Sequence, residues 1–489
     1  MSKEKNKEFI LSKKSVIIGI QVIASVITVF FIYRVGLLPI KYFSIVVGIV
    51  VALLVLLGIF VYKTKGKINW FAKILSLILS LFLVIGSGYA MKGGNLLSRV
   101  TGASKDTHII SIIVDKDSSY KTLSDLSNVK IAANFQMDKS NMEKGVELFE
   151  QKHKYEVNVD EYTSYENMNR DLLDGTIPAI MISESHRGFL KEFNENFDAQ
   201  TRVIEFVSYE VDTSIKKTNA NVSEDTYSIF ITGIDTYGPV SSVSRSDVNM
   251  IMTVNPKENQ ILLTSIPRDY HVELGTIGAM DKLTHAGIYG VGESVATLEM
   301  LLDIEIDYYL KVNFSSVEQI VDALDGVTVH SDYEFVTVSP PFVGISKGEN
   351  YLSGEEALSF VRERKSLPNG DNGRVKNQQE LIKGMIKKAT SPSVIVNFDS
   401  IIESVSDSIQ FSMSDSDLKS VIRKQLNTNS NWEILQYQLE GYGSSSYNTY
   451  SMPGWNLYVM EPDYNTVEVS SRLIKKMETG ESVSEDLRN

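Results

Sequence analysis

Three apolar runs stand one behind another near the start of the chain, at residues 16–33, 42–62 and 74–90, and they constrain it more than any other feature. Each approaches the ~20 residues that a helix needs to cross a hydrocarbon core. A cleavable leader is the competing reading of the first run. Three runs in succession without a small-residue cleavage site favour a membrane domain of three transmembrane helices in residues 1–92. Tyr33, Tyr42, Tyr62 and Trp70 fall near the run ends, where amphipathic rings prefer the membrane interface. Lys3, Lys5, Lys7, Lys13 and Lys14 precede the first run, Lys63, Lys65 and Lys67 follow the second, and the loop between holds only Arg34 and Lys41. The excess of positive charge marks the cytoplasmic side. The prediction is a multi-pass cell-membrane protein with a cytoplasmic N-terminus and everything after about residue 92 outside. No ATP is available there, so a reaction must use a substrate that carries its own energy.

The charge distribution narrows the partners. Residues 1–92 hold 12 Lys/Arg against 2 Asp/Glu, whereas the other 397 hold 36 against 59. So acidic an exterior excludes nucleic acid, whose binding depends on phosphate neutralisation, and makes any local arginine cluster more informative. The absence of cysteine excludes thiolate metal sites, cysteine nucleophiles and disulfides. The histidines His108, His153, His186, His271, His285 and His330 show no metal-protease spacing and read as structural.

Residues 93–104 read as a linker. Residues 105–212 read as an extracellular accessory α/β domain, with strands in 108–116, 129–135, 155–162 and 177–183 and helices in 142–153, 165–175 and 186–197. The pattern is similar to half of a solute-binding fold and holds no catalytic constellation; ligand binding, partner docking and a plain spacer all remain open. A polar boundary at 213–224 leads into a second α/β domain, 226–479, and a charged tail, 480–489, expected to be disordered.

Residues 227–234, 247–254 and 260–266 are strand-like, and their connections are too short for crossover helices. An antiparallel meander follows, and it brings Asp235, Arg245, Asp247, Arg268 and Asp269 to one edge. Two carboxylates without His or Cys suit a hard cation, Mg²⁺ (or Mn²⁺). Arginines beside them suit phosphate oxygens. On this stretch alone, mutual neutralisation at a sheet edge fits equally well.

A second cluster shifts that balance. Ser353 and Glu356 form a capping box for a helix that must end near Glu363 if Arg362 and Arg364, two apart, are to reach one site. Asp371 or Asn372 then caps another helix, with Arg374 and Gln378 on one face. A helix N-terminus bearing arginine is a natural anion site.

In their order and spacing, GIDTYG (233–238), SRSD (244–247), SIPRDY (265–270), DKLTHA (281–286), LSGEEALSFVRER (352–364) and DNGRVKNQQ (371–379) resemble the LytR-CpsA-Psr family. The match covers the second domain, and the membrane helices and accessory domain look like those of capsule-type, CpsA-like members. The resemblance implies a central mixed sheet with an apolar groove for a polyprenyl chain. It implies transfer of a capsular polysaccharide or similar glycopolymer from undecaprenyl pyrophosphate to peptidoglycan, at the membrane lipid and alongside capsule-assembly proteins. Carried over by motif, Asp235 and Asp247 would hold Mg²⁺. Arg245, Arg268, Arg362, Arg364, Arg374 and Gln378 would cradle the pyrophosphate, with Lys282 a further phosphate contact. Asp371 would serve as base, and Arg268 and Arg364 would act with it in catalysis. Asn377 stands where the pattern commonly has a basic residue, and Asp325-Gly326 where it has a double glycine. With the same residues, a polyprenyl-pyrophosphate hydrolase and a non-catalytic membrane regulator of capsule synthesis are the alternatives.

Gly344-Ile345-Ser346-Lys347-Gly348 matches a hydrolase elbow literally but lacks the strand-to-helix context. The aromatics of 432–464 are able to stack on sugars; core and sheet packing is the preferred reading.

Overall fold

The computed structural model describes residues 13–213, 215–216, 218, 220–234, 239–391, 394 and 398–488. Lys3, Lys5, Lys7 and Asp235 lie outside the described residues. The chain divides into two compact units.

One unit gathers Met1–Thr101, Thr390–Ser406 and Ser414–Asn431. Helices α1 (Lys14–Val35), α2 (Ile40–Lys63) and α3 (Gly66–Val100) each contain a stretch long and apolar enough to span a bilayer. Where α1 meets α3, Ser76 donates to Gln21 at 2.7 Å, the kind of polar contact that joins helices where apolar burial offers no driving force. The helices Phe398–Val405 and Asp415–Thr428 belong here as well, although the sequence assigns them to the 226–479 domain. Glu403 pairs with Lys92 at 2.9 Å, and Arg423 donates to the Gly36 carbonyl at 2.9 Å.

The other unit holds Gly102–Ala389, Asp407–Met413 and Trp432–Asn489. It opens with an α/β part made of β1 (Lys105–Asp115), β2 (Ile131–Asn134), α4 (Lys139–His153), β3 (Val159–Tyr162), α5 (Tyr165–Leu173), β4 (Ile180–Ser183), α6 (Arg187–Phe193), α7 (Phe197–Gln200) and β5 (Thr201–Asp212). The sheet order is β3-β2-β4-β1-β5. β2 runs parallel to β3 and β4, as short strands joined by crossover helices do, and β1 runs antiparallel to β4 and β5. The sequence reading gives no strand to 201–212. β5 is mostly half-exposed and lacks an apolar run, but its backbone pairs along the whole of β1.

The remainder is built on the expected meander, β6 (Tyr227–Ile234), β7 (Ser246–Asn255) and β8 (Gln260–Ile266). After it come β9 (His271–Glu273), β10 (Met280–Lys282), α8 (Leu283–Ala286), α9 (Val291–Leu302), β11 (Tyr308–Asn313), α10 (Phe314–Ala323), β12 (Val327–Ser331), β13 (Phe335–Val336), β14 (Gly344–Ile345), β15 (Gly348–Leu352), α11 (Gly354–Arg362) and α12 (Gly370–Ala389). The unit closes with β16 (Ile409–Phe411), β17 (Glu433–Gln438), β18 (Gly441–Ser446), β19 (Leu457–Pro462) and α13 (Tyr464–Glu478). The central sheet is mixed, in the order β16-β11-β6-β7-β8-β17. Phe230, Ile251 and Leu262 from its strands meet Leu298 of α9 and Ile474 of α13 in one core. Burying each such side chain contributes roughly 1.5–3 kcal/mol.

Three expectations need correction. Residues 480–488 are not a loose tail: Val483 is fully buried, and its N–H donates to Gln260 at 2.9 Å. One apolar residue in a charged stretch is enough to dock it. The aromatics of 432–464 are largely outside the core, with Tyr442, Tyr447, Tyr450, Tyr458 and Tyr464 at least half-exposed. Two of them, Tyr442 and Tyr458, lie on the two-stranded β18–β19 ribbon, which is too thin to bury both faces. Asp371 and Asn372 do not cap α12 but lie in its first turn.

Candidate functional site

Why Asp247 leaves the sheet is visible in the register. Gly233 faces Val248 and Ile234 faces Ser246, so the ladder slips there and Asp247 is the extra residue. A bulge of this kind re-aims a side chain. Gly233 has to be small, because a Cβ there would come within 2.9 Å of Val248 Cγ2.

Strand β8 ends at Ile266, and Pro267 turns the chain so that Arg268 Nη1 meets Asp247 Oδ1 at 3.0 Å. Thr284 Oγ1 donates to the same oxygen at 3.4 Å. Asp269 stands 3.6 Å from Arg268 Nε and pairs with Lys282 at 2.5 Å. From the other side, Asp371, Arg374, Val375 and Gln378 of α12 line the same cleft as Asp247 and Arg268. Their i, i+3, i+4, i+7 spacing is one helix face. Arg374 pairs with Asp371 at 2.7 Å.

The electrostatics are those of an anion site. Burial, with Arg268 and Arg364 nearby, holds the Arg374 guanidinium below the ordinary arginine value despite Asp371 and Asp247. Burial works against Arg268 too, but Asp247, Asp269 and Asp371 more than offset it and raise its pKa. The Nε groups of Arg268 and Arg374 are buried without a hydrogen-bond partner among the described residues. Buried donors are seldom left so.

The chain leaves α11 at Glu363, which is extended. The capping box forms as expected, with Glu356 accepting the Ser353 N–H at 2.9 Å, and α11 ends at Arg362. The buried Glu363 carboxylate then accepts backbone N–H groups of Val338 at 2.7 Å and of Arg364 and Ser366 at 2.9 Å. Burial alone would raise its pKa, but these bonds outweigh that and lower it. Asn377 is buried and donates to the Phe360 carbonyl at 3.0 Å, tying α12 to α11. Asp325 and Gly326, both at positive φ, form a turn.

The structure brings Asp247, Arg268, Asp371, Arg374 and Gln378 together, with Arg364 near enough to act on Arg374. Lys282 stands one ion pair away, on Asp269. Arg362 and Arg364 are both exposed and neither is among the cleft's lining residues, so Arg364 touches the site only through its charge on Arg374. Arg245 does not reach the cleft. Its guanidinium lies on α6, 4.9 Å from the Phe189 ring centroid and 3.0 Å from Glu192, because the accessory part packs against the start of β7. Asn249 and Ser265 also line the cleft and escape the sequence reading, although a polar residue inside an apolar strand was the available signal. His285 behaves as structural, paired with Asp281 at 2.7 Å in full burial.

Among the described residues no three His, Cys, Asp or Glu side chains form a metal cage. Mg²⁺ is commonly held by one or two carboxylates plus substrate phosphates. Asp247 fits that pattern, since its Oδ2 carries no hydrogen bond among the described residues while Oδ1 takes Arg268 and Thr284.

Comparison with known proteins adds a relationship. Residues 195–464 match the profile of the LytR_cpsA_psr family. Residues 65–182 match that of a DNA polymerase processivity factor, a shorter stretch that joins part of α3 to part of the accessory sheet. The chain is 33% identical over 266 residues to the Bacillus cereus (strain AH820) polyisoprenyl-teichoic acid–peptidoglycan teichoic acid transferase TagU, covering 53% of this chain and 84% of that protein. The Bacillus licheniformis TagU is 34% identical over 223 residues, 45% of this chain and 71% of the relative. Among solved structures, B. subtilis TagV aligns at 27% identity over 52% of this chain and 98% of its own, with a TM-score of 0.45. TagT bound to LIIa-WTA aligns at 28% over 55% and 95%, with a TM-score of 0.43.

Proposed function

The chain belongs to the LytR-CpsA-Psr family, and on that premise we propose that it transfers a glycopolymer, a capsular polysaccharide in this subgroup, from a polyprenyl diphosphate to peptidoglycan on the outer side of the membrane. The observation that carries the reading is that Arg268 and Arg374, each with a buried Nε donor lacking a hydrogen-bond partner among the described residues, line one cleft with Asp247 and Asp371.

In this reaction a hydroxyl oxygen of the acceptor attacks the sugar-side phosphorus. The bond from that phosphorus to the bridging oxygen breaks, and polyprenyl phosphate leaves with the electron pair. Arg268 and Arg374 stabilise the growing negative charge, with Arg364 close by and Gln378 as a neutral donor. Preorganised donors of this kind are worth about 2.7–4 kcal/mol each in turnover. The acceptor proton passes to Asp371, which is more than a third exposed beside Arg374. Asp247, and Asp235 as the family motif implies, would hold Mg²⁺, which would further neutralise the diphosphate. Positioning and charge stabilisation are what phosphoryl transfer asks of a protein. A groove for the polyprenyl tail is expected from family membership.

The test uses the full chain in nanodiscs with a labelled polyprenyl-diphosphate saccharide and peptidoglycan. Label should enter peptidoglycan as polyprenyl phosphate is released, and Arg268→Ala and Arg374→Ala should each abolish both. Lipid phosphate release without incorporation would indicate a hydrolase. Incorporation indifferent to both substitutions would indicate that turnover lies elsewhere and that this chain regulates it.

A further inference from the structure

Helix α12 is a wall with a cavity on either side. Asp371, Arg374 and Gln378 line the cleft, while Asn369, Asn372 and Lys376 line a second cavity of ≈ 200 Å³ with Tyr333, Gln438 and Glu440. Asp371 and Asn372 are consecutive, so the two linings come within about 3.8 Å of chain of one another.

Their chemistries are opposite. The cleft sets Arg268 and Arg374 against Asp247 and Asp371 and keeps two buried guanidinium N–H donors without a hydrogen-bond partner among the described residues. The second cavity offers carboxamides, a phenol and carboxylates, groups that accept as well as donate. Its two basic groups, Lys376 and His330, both stand against Asp332, which leaves Glu440 to repel an anion. A ligand that needs both donors and acceptors and carries no phosphate is a polyol. The cavity's own polar contacts are loose: Gln438 donates to Asn372 at 3.3 Å and Asn369 to Tyr333 at 3.5 Å, long for hydrogen bonds. Ligand hydroxyls can replace them without stranding a buried group.

A second observation extends the surface. The chain leaves the cavity through Glu440 straight into β18, whose Tyr442 is 66% exposed. On this ribbon and its turn Tyr447 and Tyr458 are also exposed. Exposed aromatic rings present an apolar face with a polar tip, which suits the face of a sugar ring.

We propose that this cavity and the tyrosine-bearing ribbon form the acceptor subsite, binding an uncharged, hydroxyl- and amide-rich oligosaccharide and delivering one hydroxyl to Asp371 from the side opposite the diphosphate. The assignment rests on the transferase reading. It explains why Asp371 sits at the boundary of the two linings, and it gives the second cavity a ligand class distinct from that of the cleft.

The test uses the full chain in nanodiscs, with tetra-N-acetylchitotetraose as acceptor probe and geranylgeranyl diphosphate as donor probe, both followed by calorimetric titration. Tyr333→Ala and Gln438→Ala should each weaken chitotetraose binding by about tenfold or more while leaving the diphosphate affinity unchanged. Unchanged affinity also shows that the variants are folded. If one variant loses both ligands it has misfolded, and the other decides. Chitotetraose binding that is absent from the unsubstituted chain, or indifferent to both substitutions, overturns the subsite. Failure of the unsubstituted chain to bind the diphosphate strikes the transferase reading instead.

Discussion

Arg245 lays its guanidinium over Phe189, 4.9 Å from the ring centroid, and reaches Glu192 at 3.0 Å. Both partners lie on one helix of the accessory part, and Gly188 beside them leaves the space, since a Cβ there would be 2.7 Å from Arg245 Cζ. The half-exposed ion pair contributes little, about 0.2–1 kcal/mol. Phe189 is fully buried. Phe189→Ala is therefore expected to cost about 3–5 kcal/mol and Glu192→Gln under about 1 kcal/mol. Thermal unfolding of the two variants measures the contrast, and equal losses would contradict it.

The contact between Asp106 and Lys311 is of another kind. Both side chains are buried, 2.5 Å apart, and Asp106 also accepts the Val291 N–H at 2.8 Å. Removing one partner strands a buried charge. Asp106→Ala should destabilise by about 3–5 kcal/mol, whereas Asp106→Leu with Lys311→Met should lose much less. Denaturant unfolding of both checks this.

Acid should loosen the accessory part through His108. Burial holds its pKa below the ordinary histidine value, against the pull of Asp106 and Asp138. The folded state therefore prefers neutral imidazole. Below about pH 6.5 the unfolded chain takes up a proton that the folded chain refuses, and stability falls as pH falls. His108→Gln should flatten the decline in melting temperature between pH 7.5 and 5.5. An unchanged slope would remove His108 from the explanation.

Glu363 acts through the backbone that carries Arg364. Replacing its carboxylate by alanine leaves the N–H groups of Val338, Arg364 and Ser366 without their acceptor, at about 1–3 kcal/mol. Small displacements of a positioning group can cost about 100-fold in rate. Glu363→Ala should lower turnover by at least about tenfold with the donor still bound. Loss of stability without loss of turnover would make Glu363 purely structural.

What the sequence made legible is what local rules decide. The meander follows from strand length and short turns, and the start of α11 from the Ser353–Glu356 capping box. Tertiary choices were hidden. β5 forms because β1 offers it a partner, Val483 docks because a pocket beside Gln260 receives it, and Phe398–Val405 joins the membrane helices through contacts remote in sequence. Arg245 shows the limit most clearly. Two residues from Asp247 it reads as a cleft residue, but an accessory helix supplies a ring and a carboxylate that hold it elsewhere.

If Arg268 and Arg374 bind the diphosphate, removing either guanidinium weakens that binding. The direct measurement is calorimetric titration of the full chain with geranylgeranyl diphosphate, unsubstituted and with Arg268→Ala or Arg374→Ala. Each substitution should weaken binding by about 10- to 100-fold, or about 1.4–2.8 kcal/mol. Equal affinity in all three proteins would contradict it.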